Sequence, residues 1–558
     1  MKTAILTAIS GYAPQEIRPW ITSLKSSGFK GKVIVIIYDE NIEVADYLKS
    51  FDCYVIMGRP EAGMNIVTQR FKDYANILKS KICEDVDLVI HTDCRDVIFQ
   101  ADPDKHLRSI IGNYQIVASG EGVTFRHEDW NGDGLQRQLG ASFYNELADK
   151  ETLCAGVIAG KKDALVDLFT EIYELEPYAK NPATTFNSVG NDQFFYNVLL
   201  RKCYSDVTLF LGGDNSWAAN LGTLVAIPMQ SPHWSTIPRT EYNSFERFRS
   251  GTYIDNMLVD MPVMIGNVVC TPEKEPYTII HQYDRYEPWA ETLLGKAPEY
   301  TIVTALYDLG RSGWKGFERP FEAYKEWLKY TLSIDSPMVI YVDEKDVEFV
   351  KMHREKYADK TRIIAKSFNE LATNVRWGNR IREVMSSEDF LKDQKVPNHP
   401  EICVPDYNIL MHEKAQFMME SAEQNYFNTD HFIWLDAGVA HINSRNDVPG
   451  KVFPSSKKAR AMADDKLHLI YIDEIRQEDL DLEKFYKGHN VRVIGTSWGG
   501  HRLAIKEFVH EYEKLMEESL EKNLMDQDQS FLTICTARRR DLVKMHKGTW
   551  QDAINLWK

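Results

Sequence analysis

Basic charge, long apolar runs and paired cysteines are all scarce in this chain of 558 residues, and each scarcity narrows its function. Sixty-six Lys and Arg against 82 Asp and Glu leave a net charge of −16 at pH 7. Extensive nucleic-acid binding is therefore not expected, because displacing counterions from a duplex needs a dense basic face. A small basic pocket for a sugar nucleotide remains compatible with that balance. No apolar run approaches the roughly 18 residues that span a bilayer, so no transmembrane segment is expected. The opening Met1–Ser10 has a short apolar stretch and no convincing small-residue cleavage site, and it reads as the first strand rather than a leader. The eight cysteines, Cys53, Cys83, Cys94, Cys154, Cys203, Cys270, Cys403 and Cys535, include no C-x-x-C pair. Unpaired thiols fit a reducing compartment, here the cytoplasm, and give no zinc signal. With 44% hydrophobic and 27% charged residues, the chain is neither disordered, collagen-like nor a disulfide miniprotein.

What is present begins with an internal echo. Ile5-Leu6-Thr7-Ala8-Ile9 is matched by Ile302-Val303-Thr304-Ala305-Leu306, and each is followed by a loop, a helical stretch and a second apolar strand, Val33–Ile37 or Met338–Val342. Strand, helix, strand is the opening of a parallel α/β sheet. Late in each half, Asp192-Gln193-Phe194-Phe195 and Asp528-Gln529-Ser530-Phe531 open an apolar helix. The Gly/Pro punctuation of Leu294-Gly295-Lys296-Ala297-Pro298-Glu299 marks a linker. Two α/β domains are expected, residues 1–296 and 297–558.

The most informative segment is Asp87-Leu88-Val89-Ile90-His91-Thr92-Asp93-Cys94-Arg95-Asp96-Val97-Ile98-Phe99-Gln100-Ala101-Asp102-Pro103. An apolar strand runs straight into carboxylates, and in open α/β sheets the carboxyl ends of strands line the ligand crevice. Hard oxygen ligands there suit Mg²⁺ or Mn²⁺ bridging a diphosphate. The segment resembles the metal-binding strand of nucleotide-diphospho-sugar glycosyltransferases of the GT-A fold, in which a strand ends in Asp-x-Asp and Asp-Pro often follows. Counting back from Asp102 aligns Asp96 with the last acid of that motif. Cys94 falls where the first acid belongs, and Asp93 stands one place earlier, so the metal ligand is Asp93 or Asp96.

The resemblance implies two tandem GT-A-like domains with mostly parallel sheets, a nucleotide-sugar donor, a glycan or other hydroxyl acceptor, and Mn²⁺ or Mg²⁺ as cofactor. It implies that His281, after the apolar pair Ile279-Ile280, closes the metal shell. It also implies that Asp192 takes the acceptor proton if the reaction inverts, or positions the sugar if it retains. Glu121, at the end of another strand, is the second acid/base candidate, and Asp528 is the counterpart of Asp192. Gly156 lets the backbone approach the sugar. The expected donor-binding set is Thr7, Ala8, Arg70, Asp93, Gly156 and Gln193 in the first half, with Thr304, Arg311, Lys414 and Asp436 in the second. Trp130 and Trp217 are candidate sugar platforms.

The second half repeats the theme in Asp430-His431-Phe432-Ile433-Trp434-Leu435-Asp436-Ala437-Gly438, where Gly438 replaces the second acid. Together with Thr301–Arg311 and the helix Asn408–Met419, it resembles the HtrL/YibB-like family of bacterial proteins linked to surface polysaccharide. The implied function is glycosyl transfer in glycan or surface polysaccharide synthesis, with one active site or two. A noncatalytic glycan-binding protein with degenerate domains and a transferase acting on modified DNA bases are the alternatives. Nucleotidyl transfer is disfavoured, because Ser10-Gly11-Tyr12-Ala13-Pro14 lacks a glycine-rich basic loop.

Overall fold

Alternation along the first strand, β1 (Lys2–Ile9), sorts its side chains onto two buried faces. Ala4 and Leu6 join one apolar cluster, while Ile5 and Ile9 join another. A strand covered on both sides must carry apolar residues at nearly every position, the mark of a central strand in an α/β sheet. β1 pairs in parallel with β2 (Lys32–Ile37) on one side and β4 (Val86–Thr92) on the other, and β3 (Tyr54–Met57) extends the sheet beyond β2. The remaining strands are β5 (Ile116–Thr124), β6 (Glu151–Lys161) and β7 (Thr208–Leu211). The order is β3-β2-β1-β4-β6-β5-β7, and β6 alone runs against its neighbours.

The structure is a computed structural model that describes residues 2–180, 191–230, 253–392, 394–442 and 448–558. The chain divides into two units, Met1–Lys296 and Ala297–Lys558. The second unit has strands β8 (Tyr300–Leu306), β9 (Met338–Val342), β10 (Thr361–Ala365), β11 (His431–Leu435), β12 (Leu467–Tyr471), β13 (Val493–His501) and β14 (Val543–Lys547). Their order, β10-β9-β8-β11-β13-β12-β14, is that of the first sheet strand for strand, and β13 is again the antiparallel member. Both units are thus α/β with mostly parallel seven-stranded sheets, the expected fold class.

Register carries the likeness down to single residues. Leu6 pairs with His91, two places before Asp93, and Val303 pairs with Trp434, two places before Asp436. Thr7-Ala8 and Thr304-Ala305 therefore occupy equivalent positions.

Four helices position the polar groups: α1 (Ile66–Lys79) and α2 (Asp192–Lys202) in the first unit, α3 (Pro405–Gln424) and α4 (Asp528–Arg538) in the second. The Asn65 side chain caps α1 by accepting from the Val67 amide. Asp192 and Asp528 each stand in the first turn of their helix, where the macrodipole favours an acid. The first unit adds a three-stranded sheet of Val97–Phe99, Ile279–His281 and Ala218–Asn220. Among the described residues the second unit has no counterpart to it. No described helix is long and apolar enough to cross a membrane.

Candidate functional site

The small sheet explains how residues nearly two hundred positions apart meet. Its register sets His281 opposite Val97 and opposite Asn220, and the Gln282 amide donates to the Asp96 carbonyl at 2.6 Å. His281 is thereby carried to the end of β4, where Asp93 continues the strand and its amide donates to the Gly156 carbonyl at 3.0 Å. His281 Nε2 stands 3.6 Å from Asp93 Oδ2 and 3.8 Å from Asp96 Oδ1. One ligand atom from each of Asp93, Asp96 and His281 lies within 4.8 Å of the others.

Each carboxylate divides its two oxygens between partners. Asp93 Oδ1 accepts from Arg70 at 2.7 Å, and Asp96 Oδ2 accepts from Arg95 at 2.7 Å and Arg285 at 3.4 Å. The opposite oxygens face His281. Guanidinium groups thus fix both acids while leaving one oxygen of each and one imidazole nitrogen converging, a donor set that suits a divalent cation. The other ring nitrogen, Nδ1, lies 3.1 Å from Cys154 Sγ. Gly156 keeps the space open, since a Cβ there would come within 2.5 Å of His281 Cε1 and 2.7 Å of Nε2.

Charges follow this packing. Burial works against an ionised Asp93, but Arg70 and His281 outweigh it and hold its carboxyl well below the usual range. Burial alone would lower His281, yet Cys154, Asp93 and Asp96 together raise it well above the ordinary imidazole value.

A cavity of about 860 Å³ opens beside this cluster, and Arg70, Asp93, Glu121, Gly156, Asp192 and His281 are among its lining residues, as is Gln193. Arg70 joins two of them, because its Nη2 donates to Asp192 Oδ2 at 3.0 Å while Nη1 holds Asp93. Burial raises the Asp192 pKa and Arg70 opposes it. Glu121 is gripped by three amides: Asn220 at 2.8 Å and Gln193 at 3.3 Å on Oε1, and Asn131 at 3.2 Å on Oε2. Its carboxyl, pushed by burial and by Glu128, rises to about 7.

The second unit reproduces the cation between two acids. Lys414 Nζ on α3 lies 2.9 Å from Asp436 Oδ1 and 2.9 Å from Asp528 Oδ2. Burial works against the charged ammonium, but the two carboxylates raise its pKa. Beyond that trio the units diverge. Counting from the aligned Asp93 and Asp436, the place of Asp96 is taken by Val439 rather than by Gly438, and Val439 is buried. Across the sheet Thr92 pairs with Val157 and Leu435 with Ser497, so Thr496 stands where the first unit has Gly156. The second unit's late His546 lies on the edge strand β14 with Nε2 2.9 Å from His468 Nδ1. Asp526 and Glu401 add buried acids nearby. Asp526 is pushed up to about 7 by burial, with Asp528 adding to that, and Glu401 to about 8 by burial, Asp526 and Asp528.

Several residues singled out in the sequence stand elsewhere. Thr7 and Thr304 are fully buried within their strands, because a central strand is covered on both faces. Ala8 contributes a carbonyl 3.7 Å from Cys94 Sγ, and neither it nor Thr7 lines the cavity. Arg311 bends onto its own loop, donating to Phe317 O at 3.1 Å and to the Tyr324 hydroxyl at 2.8 Å, with Trp314 beneath it. Trp217 is a 1% exposed core residue, whereas Trp130 is 51% exposed at the cavity rim. Conversely, Asn131, Asn220, Arg95 and Arg285 were not singled out: Asn131, Asn220 and Arg285 reach the site through tertiary pairing, whereas Arg95 lies in the acidic segment itself and holds its neighbour Asp96.

Residues 298–558 match a family of bacterial proteins of unknown function, HtrL_YibB. Protein HtrL of Escherichia coli (strain K12) is 25% identical over 271 residues, which cover 45% of this chain and 90% of that protein. Among solved structures, the apo form of mouse xyloside xylosyltransferase 1 is 13% identical, with a TM-score of 0.31, over 50% of this chain and 97% of that one. The galactosyltransferase LgtC, solved with donor and acceptor sugar analogs, is 13% identical with a TM-score of 0.31, over 52% and 95%.

Proposed function

We propose that the first unit is a metal-dependent glycosyltransferase using a nucleotide-diphosphate sugar. One observation carries this reading: Asp93 Oδ2, Asp96 Oδ1 and His281 Nε2 converge at a strand end, beside a cavity walled by further acids and amides. Asp93, Asp96 and His281 would hold Mn²⁺ or Mg²⁺, which when bound neutralises charge on the leaving diphosphate. Arg285, 43% exposed on its side chain at the cavity edge, is a cation within reach of the donor's phosphates. Asp192, with one oxygen tied to Arg70, and Gln193 orient the sugar, and fixing the reacting carbon against an acceptor hydroxyl supplies much of the rate.

If the transfer inverts, the acceptor's proton goes to Glu121. The three amides fill both acceptor directions on Oε1 and one on Oε2, leaving a single lone-pair direction on Oε2 for the hydroxyl. Asp192 is the weaker candidate because its salt bridge to Arg70 favours the charge it would have to give up. The polysaccharide context belongs to this proposal too, and rests on the family resemblance of the second half.

The test is release of nucleoside diphosphate by the full chain from a panel of nucleotide sugars, with and without Mn²⁺. Metal-stimulated release that Asp96→Ala removes is expected. Undiminished release in Asp96→Ala would sink the assignment, and a folded protein that binds glycan but releases nothing from any donor would be a binding module instead.

A further inference from the structure

In the second unit, a cluster of different chemistry gathers around the short helix Pro400–Cys403. His399 caps that helix, Glu401 lies within it, and His489 arrives from a turn in which it takes a left-handed backbone conformation, φ 48°. Glu401 Oε2 is 3.3 Å from His399 Nδ1 and 3.3 Å from His489 Nδ1. The two rings cross at 61° with centroids 5.1 Å apart, so both turn a nitrogen to one oxygen rather than stacking. One ligand atom from each residue lies within 4.8 Å of the others.

Two facts separate this from an ordinary hydrogen-bonded cluster. Glu401 is 6% exposed, yet neither its Oε2 nor His399 Nδ1 has a hydrogen-bond partner. Buried polar atoms left that way are rare and costly, and an ion bound between them is one of the few remedies. The second fact is spacing. Donors around a tetrahedral ion with bonds of about 2.0–2.1 Å stand about 3.3–3.4 Å from one another, which matches the 3.3 Å separation of both Glu401–histidine pairs. The edge of Phe317 against His399, with centroids 5.0 Å apart, supplies an apolar wall.

We propose that His399, Glu401 and His489 form a metal site for a zinc-class dication, separate in chemistry from the two-carboxylate cluster of the first unit. Two imidazoles and one carboxylate suit Zn²⁺ or Co²⁺, whereas an oxygen-rich set suits Mg²⁺ and Mn²⁺. Three protein ligands leave a tetrahedral ion one position for water or a bound molecule. Nothing in this assignment depends on the first unit being a transferase.

The experiment uses the full chain, stripped with a chelator and titrated with Co²⁺, with displacement by Zn²⁺. A visible absorption band of four-coordinate strength, saturating at one equivalent and bleached by Zn²⁺, is expected in the wild type and in His281→Ala. His489→Gln and Glu401→Gln should each weaken that binding by about a hundredfold or more, beyond what loss of a supporting hydrogen bond does. His489 is partly exposed, 32% on its side chain, so its variant keeps the fold if Glu401→Gln does not. Wild-type Co²⁺ affinity in His489→Gln overturns the proposal, as does loss of the whole band in His281→Ala or absence of the band in the wild type.

Discussion

In the first unit Arg70 spans Asp93 and Asp192, and in the second Lys414 spans Asp436 and Asp528. The helices, strand ends and sheet order that place these trios are the same. What differs is the company they keep. The first unit adds Asp96 from the loop after β4 and His281 from a small sheet, with Gly156 leaving room for the imidazole. The second has Val439 and Thr496 at the places of Asp96 and Gly156. A shared scaffold thus fixes a cation between two acids, and three local differences set the proposed ligands Asp93, Asp96 and His281 apart from the second unit's equivalent positions. The trio belongs to the fold, while that proposed ligand set belongs to the first unit alone.

The largest effect expected breaks this contrast if it fails. Asp96→Ala should lower metal-dependent nucleoside diphosphate release by about a thousandfold, the several kcal/mol that a bound cation supplies to a leaving group. Asp436→Ala, the equivalent change to a second-unit acid, should leave it within about twofold. Equal losses in a donor-release assay would mean that the units share one chemistry. Loss of release from one donor but not another would instead establish two active sites.

Next come the cations. Removing one partner from a buried ion pair costs about 3–5 kcal/mol, because the other charge stays buried. Arg70→Ala and Lys414→Met should therefore both lower thermal stability. Excess Mn²⁺ should restore part of it in Arg70→Ala, where an ion can take over Asp93, and little in Lys414→Met. Calorimetry of both variants with and without Mn²⁺ checks this, and equal rescue would contradict the ligand difference.

These contrasts were partly readable from residues alone. Thr7-Ala8 and Thr304-Ala305 proved equivalent in register, and the acids ending β4 and β11 were visible because a strand running into Asp is a local signal. The mostly parallel α/β plan of both units followed from the same apolar runs, whereas the number of strands and the one antiparallel strand in each sheet did not. The three amides on Glu121 were not readable. Asn131 and Asn220 reach it from an intervening helix and a three-residue strand, and neither carries a pattern of its own. The count that set Gly438 against the second acid was one residue short, since alignment through Asp93 rather than Asp96 points to Val439. His399, Glu401 and His489 were invisible for the same reason as Asn220: ninety residues of chain separate two of the ligands, and only packing closes the gap.

A smaller effect sharpens the role of Gly156. Gly156→Ala places a methyl where His281 Cε1 and Nε2 now lie, so the ring must move while the strand need not. Mn²⁺ affinity should fall by about ten- to a hundredfold, as when a ligand's supporting contacts are lost, with the fold retained. Thr496→Gly in the second unit opens the equivalent space but brings no imidazole, and isothermal titration should find no Mn²⁺ binding gained there. Unchanged affinity in Gly156→Ala would show that His281 is not a ligand.

The smallest effect concerns protons rather than ions. Asp526, two residues before Asp528, is pushed up to about 7 by burial, against the help of Ser530 and the Gln527 amide. Asp528 faces it with like charge, and Glu401 lies close by, while His412 Nε2 donates to the Asp526 carbonyl at 2.8 Å. The folded chain therefore keeps a proton that the unfolded chain, with an ordinary carboxyl near 4, has already released. Stability is fully present below about pH 4 and is lost as pH rises through about 7, because the folded state binds more protons across that window. In Asp526→Asn the group cannot ionise, so the fall in melting temperature of the second unit between pH 5 and 8 should become shallower, while the first unit's transition keeps its own profile. A slope unchanged by the substitution would place the proton elsewhere in the cluster, with Glu401 the next acid to neutralise.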